Sequence, residues 1–244
     1  MTKTLLIDAD IILYQSCCAV EVATDWGNDI WTLVADLKEC RQRVDVILAE
    51  LKSDLKADEI VVCLSDKENW RKSVYPEYKS NRKKTRKPLI YPEMKKYLHE
   101  VYRTYEWPSL EADDVLGILS TGGRYVKGEK IIVSEDKDLK TIPGLLFNPG
   151  KPELGVIEVT KQEADRNHLI QSLAGDRTDG YPGCPGVGPI WAEKVVDGGW
   201  DSVVEVYENA GITAQEALVQ AQVARILRTG EWTKAKGVKL WQPK

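Results

Sequence analysis

Acidic residues stand at the ends of several predicted strands of this chain. Asp8 and Asp10 close the apolar run LLIDAD, Asp66 follows VVCLS, and Asp136 and Asp138 follow IIVSE. In a parallel sheet the carboxyl ends of the strands meet at one edge, so these side chains are expected to share a crevice. Two unit charges about 4 Å apart repel by roughly 4 kcal/mol at an effective dielectric constant near 20. Divalent cations such as Mg²⁺, which prefer oxygen ligands, would relieve that repulsion.

Further acidic residues stand at two other positions. Glu111, Asp113 and Asp114 open an apolar helix, and Asp176 and Asp179 precede a glycine-rich hairpin. Any single carboxylate of this kind is more often solvated or a helix cap than a ligand. The whole set, with pairs at matched positions in the predicted fold, favours one metal-binding pocket.

A phosphatase that uses Asp8 as its nucleophile is an alternative, because a strand followed by DxD occurs there too. That chemistry usually needs a Ser or Thr and a Lys further along the chain. It also leaves the basic segment unexplained.

The charge of the chain is unevenly distributed. The 244 residues carry a net charge of −4, yet residues 71–96 contain ten Lys or Arg and two Glu. This basic segment is therefore +8 and the remainder −12, an asymmetry that indicates an anionic polymer as partner. Its tyrosines could stack on bases while its cations neutralise phosphates. An ordinary solvated loop is the alternative. The basic residues expected to contact DNA directly are Arg71, Lys72, Lys83 and Lys84.

Strands alternate with helices along the first two thirds of the chain. Apolar runs predict strands at residues 4–8, 59–64 and 130–134, and a closing strand is expected at residues 237–241. Helical spacing predicts helices at residues 32–55, 92–102, 112–120 and 213–228. This order indicates an α/β fold with a mostly parallel central sheet and helices on both faces. We expect a core of residues 1–159 that includes the basic segment, and a helical part of residues 160–244 integrated with it.

The cysteines and the N-terminal stretch bear on the compartment. There are five cysteines and no CxxC, and the two histidines stand alone, which argues against a structural zinc site and fits a reducing cytoplasm. Asp8 and Asp10 interrupt the N-terminal apolar stretch, so we expect no signal peptide. No run approaches the ~20 apolar residues that a membrane span needs.

The glycine-rich hairpin has the string GCPGVGP and leads directly into a predicted helix, with Pro189 suited to its first turn. Free N–H groups at such a helix start bind phosphate oxygens. The segment resembles a helix-hairpin-helix module, which holds a DNA backbone without reading bases. An ordinary tight turn between two helices is the alternative. The residues expected to contact phosphates here are Gly183, Gly186, Gly188 and Lys194.

Taken together, the motifs resemble the flap-endonuclease-like 5′-nuclease superfamily, and in particular the short bacteriophage 5′→3′ exonucleases. The strings that carry the resemblance are LLIDAD, LSDKENWRKSVYPEYKSNR, LEADDVLG, SEDKDLKTI, GDRTDGYPGCPGVG, AQVARILRTGEW and KLWQP. They span essentially the whole chain. The resemblance implies a parallel-sheet core of the PIN/SAF type, a helical arch over the active site and a helix-hairpin-helix (H3TH) motif that binds DNA.

The resemblance also implies a set of site residues. Two Mg²⁺ or Mn²⁺ ions would be held, directly or through water, by Asp8, Asp66, Glu111, Asp113, Asp136, Asp138, Asp176 and Asp179. Asp114 would support these ligands from outside the first coordination sphere. Asp10 departs from the pattern of many relatives, and its alternatives are an additional outer ligand and a loop cap. Lys79 and Arg82 match the arch cations of the YKxxR motif, and Tyr78 matches its aromatic residue, as catalytic groups. The hairpin carbonyls are a candidate site for K⁺.

The expected activity is metal-dependent hydrolysis of phosphodiester bonds at 5′ ends of duplex DNA, which needs no Ser, Cys or His nucleophile. Removal of RNA primers and flaps, and action on RNA–DNA hybrids, are left open. The alternatives are a non-catalytic DNA-structure-binding protein, which would benefit from fewer acids near DNA, and a PIN-like ribonuclease, which usually lacks the hairpin. We expect a monomer in the cytoplasm, that of the host if the chain is phage-encoded.

Overall fold

The computed structural model describes residues 2–84 and 86–243, with the side chains of Lys83 and Lys84 outside the description. The strands are β1 (Lys3–Asp8), β2 (Glu21–Asp25), β3 (Trp31–Ala35), β4 (Glu59–Cys63), β5 (Thr104–Tyr105), β6 (Glu129–Val133), β7 (Gly144–Phe147), β8 (Val156–Val159), β9 (Trp232–Thr233) and β10 (Gly237–Val238). The helices are α1 (Ala9–Ala19), α2 (Leu37–Asp54), α3 (Arg71–Val74), α4 (Tyr91–Val101), α5 (Ala112–Thr121), α6 (Lys161–Ala174), α7 (Pro189–Val195), α8 (Trp200–Asn209) and α9 (Ala214–Ala224).

The central sheet has six strands in the order β5-β4-β1-β6-β7-β8. Its pairings are parallel except that of β7 with β8, which is antiparallel. In the central strand, Leu5, Leu6 and Ile7 are fully buried because both faces of the sheet are covered. The predicted α/β class with a mostly parallel sheet is confirmed.

Each face of the sheet has its own hydrophobic core. On one face, Leu5 and Ile7 pack with residues of α1, α2 and α4. On the other, Leu6 packs with α5 and with Leu227 and Trp232 of the C-terminal segment. A third core joins α6, α7, α8 and α9. The C-terminal part is therefore mainly helical, but its last segment returns to cover the sheet.

Two predicted helix boundaries differ in the structure. Residues 31–35 form β3 instead of the first turn of a helix, because they pair antiparallel with β2 and the helix begins only after Asp36. The Asp36 side chain accepts from Glu39 N at 2.9 Å and caps α2. Helix α9 ends at Ala224 and not near residue 228, since Arg225 is extended with φ −67° and ψ 118°.

Other differences concern short strands. Strands β7 and β8, which complete the sheet, were not predicted from apolar runs. The strand expected near residues 237–241 is reduced to β10, which pairs with β9 alone. Among the described helices, none is long and apolar enough to cross a membrane.

Helix α5 approaches the C-terminal segment very closely at Gly117. A Cβ atom built on Gly117 would overlap the carbonyl oxygen of Leu227 and press against Ile142 and Ile226. Because α5 carries the predicted acidic residues at its N-terminus, this contact fixes the helix that positions them.

We therefore expect Gly117→Ala to lower the free energy of unfolding by about 1–3 kcal/mol, as overpacking of a core does. Urea denaturation followed by circular dichroism measures the change. Gly123→Ala is the matched control, because a Cβ at Gly123 meets no atom within 4 Å. Equal denaturation midpoints for the two variants would contradict the close contact.

Candidate active site

Three acidic side chains meet at the carboxyl edge of the sheet. Asp8 ends β1, and the Ser134 hydroxyl after β6 donates to Asp8 Oδ2 at 2.7 Å and accepts from Asp136 N at 3.0 Å. Burial raises the pKa of Asp8 to about 7; the Ser134 hydrogen bond opposes this shift, and the charges of Asp10 and Asp136 add to it. Burial, with the charges of Asp8 and Asp136, also raises the pKa of Asp113 well above its usual value. The pKa shifts of Asp8 and Asp113 thus arise in part from repulsion between neighbouring carboxylates, which places these side chains close together.

A second acidic group is continuous with the first through Asp136. The Asp136 carboxylate accepts from Asp138 N at 2.8 Å. Burial raises the pKa of Asp138 to about 7, and the charges of Asp136, Asp176 and Asp179 add to the shift. Oxygen Oδ1 of Asp138 is buried and has no hydrogen-bond partner within the described part of the chain. An unsatisfied carboxylate oxygen among other carboxylates is a candidate cation ligand.

Glu111 and Asp179 lie where side chains of the basic segment contact the acidic pocket. Lys79 Nζ forms a short ion pair with Glu111 and lies 3.4 Å from Asp179 Oδ2, while Arg82 Nη2 lies 2.6 Å from Asp179 Oδ1. Burial alone would raise the pKa of Glu111, but Lys79 and Arg71 outweigh it and hold the pKa at about 2. These cations neutralise the rim of the pocket.

Tyr78 is not the base-stacking residue that the sequence suggested. Its ring is buried, at 3% exposure, and stacks on Tyr181 at a centroid distance of 6.4 Å. Its hydroxyl lies 2.9 Å from Glu111 Oε2 and 2.8 Å from Asp179 Oδ2. Tyr78 therefore positions two predicted ligands relative to each other.

The backbone at Lys79 is held in an unusual conformation. Its φ of 52° lies in the left-handed region that side chains larger than glycine rarely adopt. Lys79 N donates to Asp179 O at 2.7 Å and fixes that conformation. Such strain is concentrated at functional sites, where the surrounding structure maintains it.

The prediction that Arg71 contacts DNA is wrong. Arg71 is 3% exposed, and its guanidinium pairs with both oxygens of Asp114 at 2.8 and 2.9 Å. It also donates to Glu111 Oε2 at 3.0 Å and to the backbone oxygens of Val223 and Arg225 at 2.9 and 2.7 Å. All of these partners are groups of the protein itself, so Arg71 links α3 to α5 and to the C-terminal segment.

Asp114 lies behind the pocket. Besides Arg71, it accepts hydrogen bonds from Trp70 Nε1 at 2.9 Å and from Leu227 N at 3.1 Å. It also takes part in a capping box with Glu111 at the start of α5. The role of Asp114 as a support for metal ligands stays a prediction. Trp70 and Ser134 were not among the predicted site residues, and only their positions next to acidic motifs could have indicated them.

Asp10, which follows β1, and Asp66, which follows β4, have other partners. Asp10 accepts from Ser65 N and from the Tyr91 hydroxyl, both at 3.1 Å, which places it as a support beside Asp8. Asp66 accepts from Ser109 N at 2.8 Å. Burial of Asp66 would raise its pKa, but backbone hydrogen bonds lower it. The structure thus directs Asp66 to a loop, unlike the other predicted ligands.

Asp176 stabilises the turn that carries Asp179. Its Oδ1 accepts from Thr178 N at 2.7 Å and from Asp179 N at 3.1 Å, and its backbone pairs with Tyr181. Its other oxygen, Oδ2, lies 3.7 Å from Lys137 Nζ. Asp176 therefore lies beside Asp138 and Asp179, on the side of the pocket nearest the hairpin.

The donor set fits hard divalent cations. Within residues 2–84 and 86–243, no group of three or more Asp, Glu, His or Cys side chains is arranged to hold a metal ion. The reason is visible in the contacts, since Lys79 and Arg82 pair with Glu111 and Asp179. The unpartnered Asp138 oxygen and the raised pKa values of Asp8 and Asp113 identify carboxylates that a cation would stabilise.

The glycine-rich turn between α6 and α7 presents only part of its predicted surface. Gly186, Gly188 and Lys194 are exposed at the start of α7 and along it. Gly183 is buried, and its N–H donates to Gln220 Oε1 at 3.0 Å, so the prediction that it contacts phosphate is wrong. With φ +65° and its Cα against Gly175 and Leu173, Gly183 lets the turn pack on α6.

The basic residues around the arch divide by exposure. Lys72 is exposed, and the Arg82 side chain is 49% exposed. The predictions for the Lys83 and Lys84 side chains lie outside the described residues. Arg82 is thus a half-exposed cation at the rim of the acidic pocket.

Comparison with known proteins identifies relatives along nearly the whole chain. Residues 3–144 match the 5′-3′ exonuclease, N-terminal resolvase-like domain. The chain is 33% identical over 284 aligned residues to the exodeoxyribonuclease of Enterobacteria phage T3, covering 98% of this chain and 93% of that protein. It is 32% identical over 283 aligned residues to the exonuclease of Escherichia phage T7, with the same coverage of 98% and 93%.

A solved structure shares the fold. The flap endonuclease of bacteriophage T5, in a complex with DNA and metal ions, superposes with a TM-score of 0.65 at 12% identity. The alignment covers 91% of this chain and 88% of that one. The chain therefore belongs to the 5′-3′ exonuclease family.

Proposed function

We propose that the protein is a metal-dependent 5′→3′ nuclease that hydrolyses phosphodiester bonds at the 5′ ends of duplex DNA. The observation that carries this proposal is the convergence of acids from β1, α5, the segment after β6 and the turn before α7, beside Lys79 and Arg82. In the reaction a water oxygen forms a new bond to phosphorus and the bond to the leaving 3′-oxygen breaks.

Two Mg²⁺ or Mn²⁺ ions are the proposed cofactors. When bound, they would activate water and stabilise charge on the phosphate and the leaving oxygen. The residues proposed to hold them are Asp8, Glu111, Asp113, Asp136, Asp138, Asp176 and Asp179. The relative from phage T5 was solved with metal ions, which supports a divalent-metal site in this chain.

We propose that Lys79 and Arg82 serve the same reaction by leaving their present carboxylate partners and binding the phosphate. Both now pair with carboxylates of the pocket. If cations occupied the pocket, the carboxylates would be neutralised without them, and the two side chains would be free to contact the scissile phosphate. There they would offset the negative charge that grows in the transition state.

Duplex DNA is proposed to lie across the exposed cations of the arch and the start of α7. Lys72, Gly186, Gly188 and Lys194 are the exposed candidates for backbone contacts. The proposal extends to Lys83 and Lys84, to a K⁺ ion on the hairpin carbonyls, and to flaps and RNA–DNA hybrids as substrates. We also propose a monomer with a core of residues 1–159 and a helical part of residues 160–244. Its five free cysteines suit the cytoplasm.

The experiment that tests the function is a gel assay on 5′-labelled duplex, flap and RNA–DNA hybrid, with and without Mg²⁺. We expect label release as mononucleotides from the duplex only when Mg²⁺ is present. Oligomeric products from the flap would indicate endonuclease action. DNA binding without any metal-dependent cleavage would refute the proposal in favour of a binding protein.

Asp138→Asn is expected to reduce Mg²⁺-dependent turnover by at least two orders of magnitude, since it removes a charged ligand at the centre of the pocket. Asp66→Asn is the matched control and should lose much less, because Asp66 is directed to Ser109. Thermal unfolding gives a second readout, as a metal at 100 times its Kd stabilises by about 2.7 kcal/mol. The Mg²⁺-induced rise in Tm should be reduced in Asp138→Asn and retained in Asp66→Asn. Equal losses in both variants would show that Asp66 is a ligand.

Lys79→Ala is expected to lower kcat by roughly two to three orders of magnitude, the usual effect of removing one donor that stabilises transition-state charge. Lys72→Ala should instead raise KM with little change in kcat and should reduce the salt dependence of binding. Single-turnover rates at saturating DNA, with binding measured by anisotropy, distinguish the two effects. A loss confined to KM in Lys79→Ala would place this residue in binding only.

A further inference from the structure

A β-hairpin of β2 and β3 projects from the core with its apolar side chains in solvent. Val22, Trp26, Ile30, Trp31 and Val34 are 62, 67, 58, 58 and 65% exposed. Single exposed apolar residues are normal, but a contiguous group of large ones marks an interaction surface. The hairpin pairs with no other strand in the described part of the chain, and isolated two-stranded ribbons are marginal in water.

Val22 and Val34 share one face of the hairpin, whereas Trp31, which lies opposite Asp25, points to the other face. Val22 lies directly opposite Val34, and Thr24 opposite Thr32, in the antiparallel register. Residues two apart in a strand point to the same side, so these four form one face. Trp26 extends it, because the indole Nε1 donates to Thr32 Oγ1 at 3.0 Å. The result is an apolar strip with an aromatic residue near the turn.

The hairpin is separate from the acidic pocket. It follows α1, which runs for eleven residues from the site at Asp8, or about 16 Å at 1.5 Å per residue. Its base is fixed on the nuclease core, since Glu21 accepts from Leu89 N at 2.6 Å and from Arg86 Nη1 at 3.2 Å. A fixed base and a projecting apolar face suit recognition and have no role in the hydrolysis.

The charge of the hairpin identifies the class of partner. Residues 21–36 contain Glu21, Asp25, Asp29 and Asp36, and no Lys or Arg. Asp25 and Asp29 flank Trp26 near the turn. Glu21 pairs with Arg86 and Asp36 caps α2, but Asp25 and Asp29 leave the turn negatively charged, which disfavours binding of a nucleic-acid backbone at Trp26. The same charges complement a surface rich in Lys and Arg.

We propose that this hairpin is a docking site for another protein, whose binding segment carries apolar side chains flanked by Lys or Arg. The apolar side chains would cover Val22, Trp26 and Val34, and the cations would lie against Asp25 and Asp29. Tryptophan is enriched among the residues that dominate binding energy, and Trp26 lies at the turn end of this face.

Selection from a random displayed peptide library tests the proposal. The wild-type protein is the bait, and the Trp26→Ser/Val34→Ser variant is the counter-selection. Both substitutions lie on an exposed face, so the variant should retain its circular dichroism spectrum and its nuclease turnover. We expect the differentially enriched peptides to combine net positive charge with aromatic or aliphatic residues.

Synthetic copies of the enriched peptides then give the affinity by fluorescence anisotropy. Binding should weaken at least about tenfold in Trp26→Ser/Val34→Ser, as at an interface hot spot. It should also weaken in Asp25→Asn/Asp29→Asn, in which Asn keeps the shape and tolerates the positive φ of 59° at Asp29.

Four outcomes would overturn the proposal. They are the absence of differential enrichment, enrichment of neutral or acidic peptides, a loss of single-stranded DNA binding in Trp26→Ser/Val34→Ser, and self-association of the wild type that this variant abolishes. Sedimentation velocity measures the last of these. Since the nuclease assay is independent of these residues, failure here leaves the proposed hydrolysis intact.

Discussion

Repulsion among buried carboxylates is the constraint on which the architecture of this protein depends. Parallel strands deliver Asp8 and Asp136 to one edge of the sheet, and α5 adds Asp113 at the same place. Burial raises the pKa of Asp8 and of Asp113, and the neighbouring carboxylates add to both shifts. Lys79 and Arg82 of the basic segment offset the charge of two further acids, Glu111 and Asp179, on the rim. Within the described residues, the charge of Asp8 and Asp113 is left without such an ion pair, and their pKa values stay raised.

A buried ion pair holds the parts of this site in register. Arg71 and Asp114 are both nearly inaccessible, and together they bind α3, α5 and the C-terminal segment. A buried pair of this kind adds little net stability, but loss of one partner leaves an uncompensated charge. The main effect of the Arg71–Asp114 pair is to position Glu111, which accepts from the same guanidinium.

The sequence was most informative where one principle dominated. Continuous apolar runs ended by Asp identified β1, β4 and β6 and the edge where the acids meet. Local periodicity failed at residues 31–35, whose pattern suits a helix face but whose β-branched and aromatic residues pair with β2. Tertiary contacts decided the roles of Arg71, Tyr78 and Gly183, since a guanidinium, a phenol or a glycine looks the same in sequence whether it faces solvent or the core. Asp66 was assigned through its motif, and its hydrogen bond to Ser109 could not be foreseen.

The Tyr78 hydroxyl touches both Glu111, at the start of α5, and Asp179, in the turn that leads to the H3TH glycines. One oxygen atom therefore spans the helix that carries the predicted ligands and the loop expected to seat the duplex. A displacement of that turn at Asp179 must alter the environment of Glu111. The conformation of the glycine-rich turn and that of the start of α5 are therefore coupled through a single phenol oxygen.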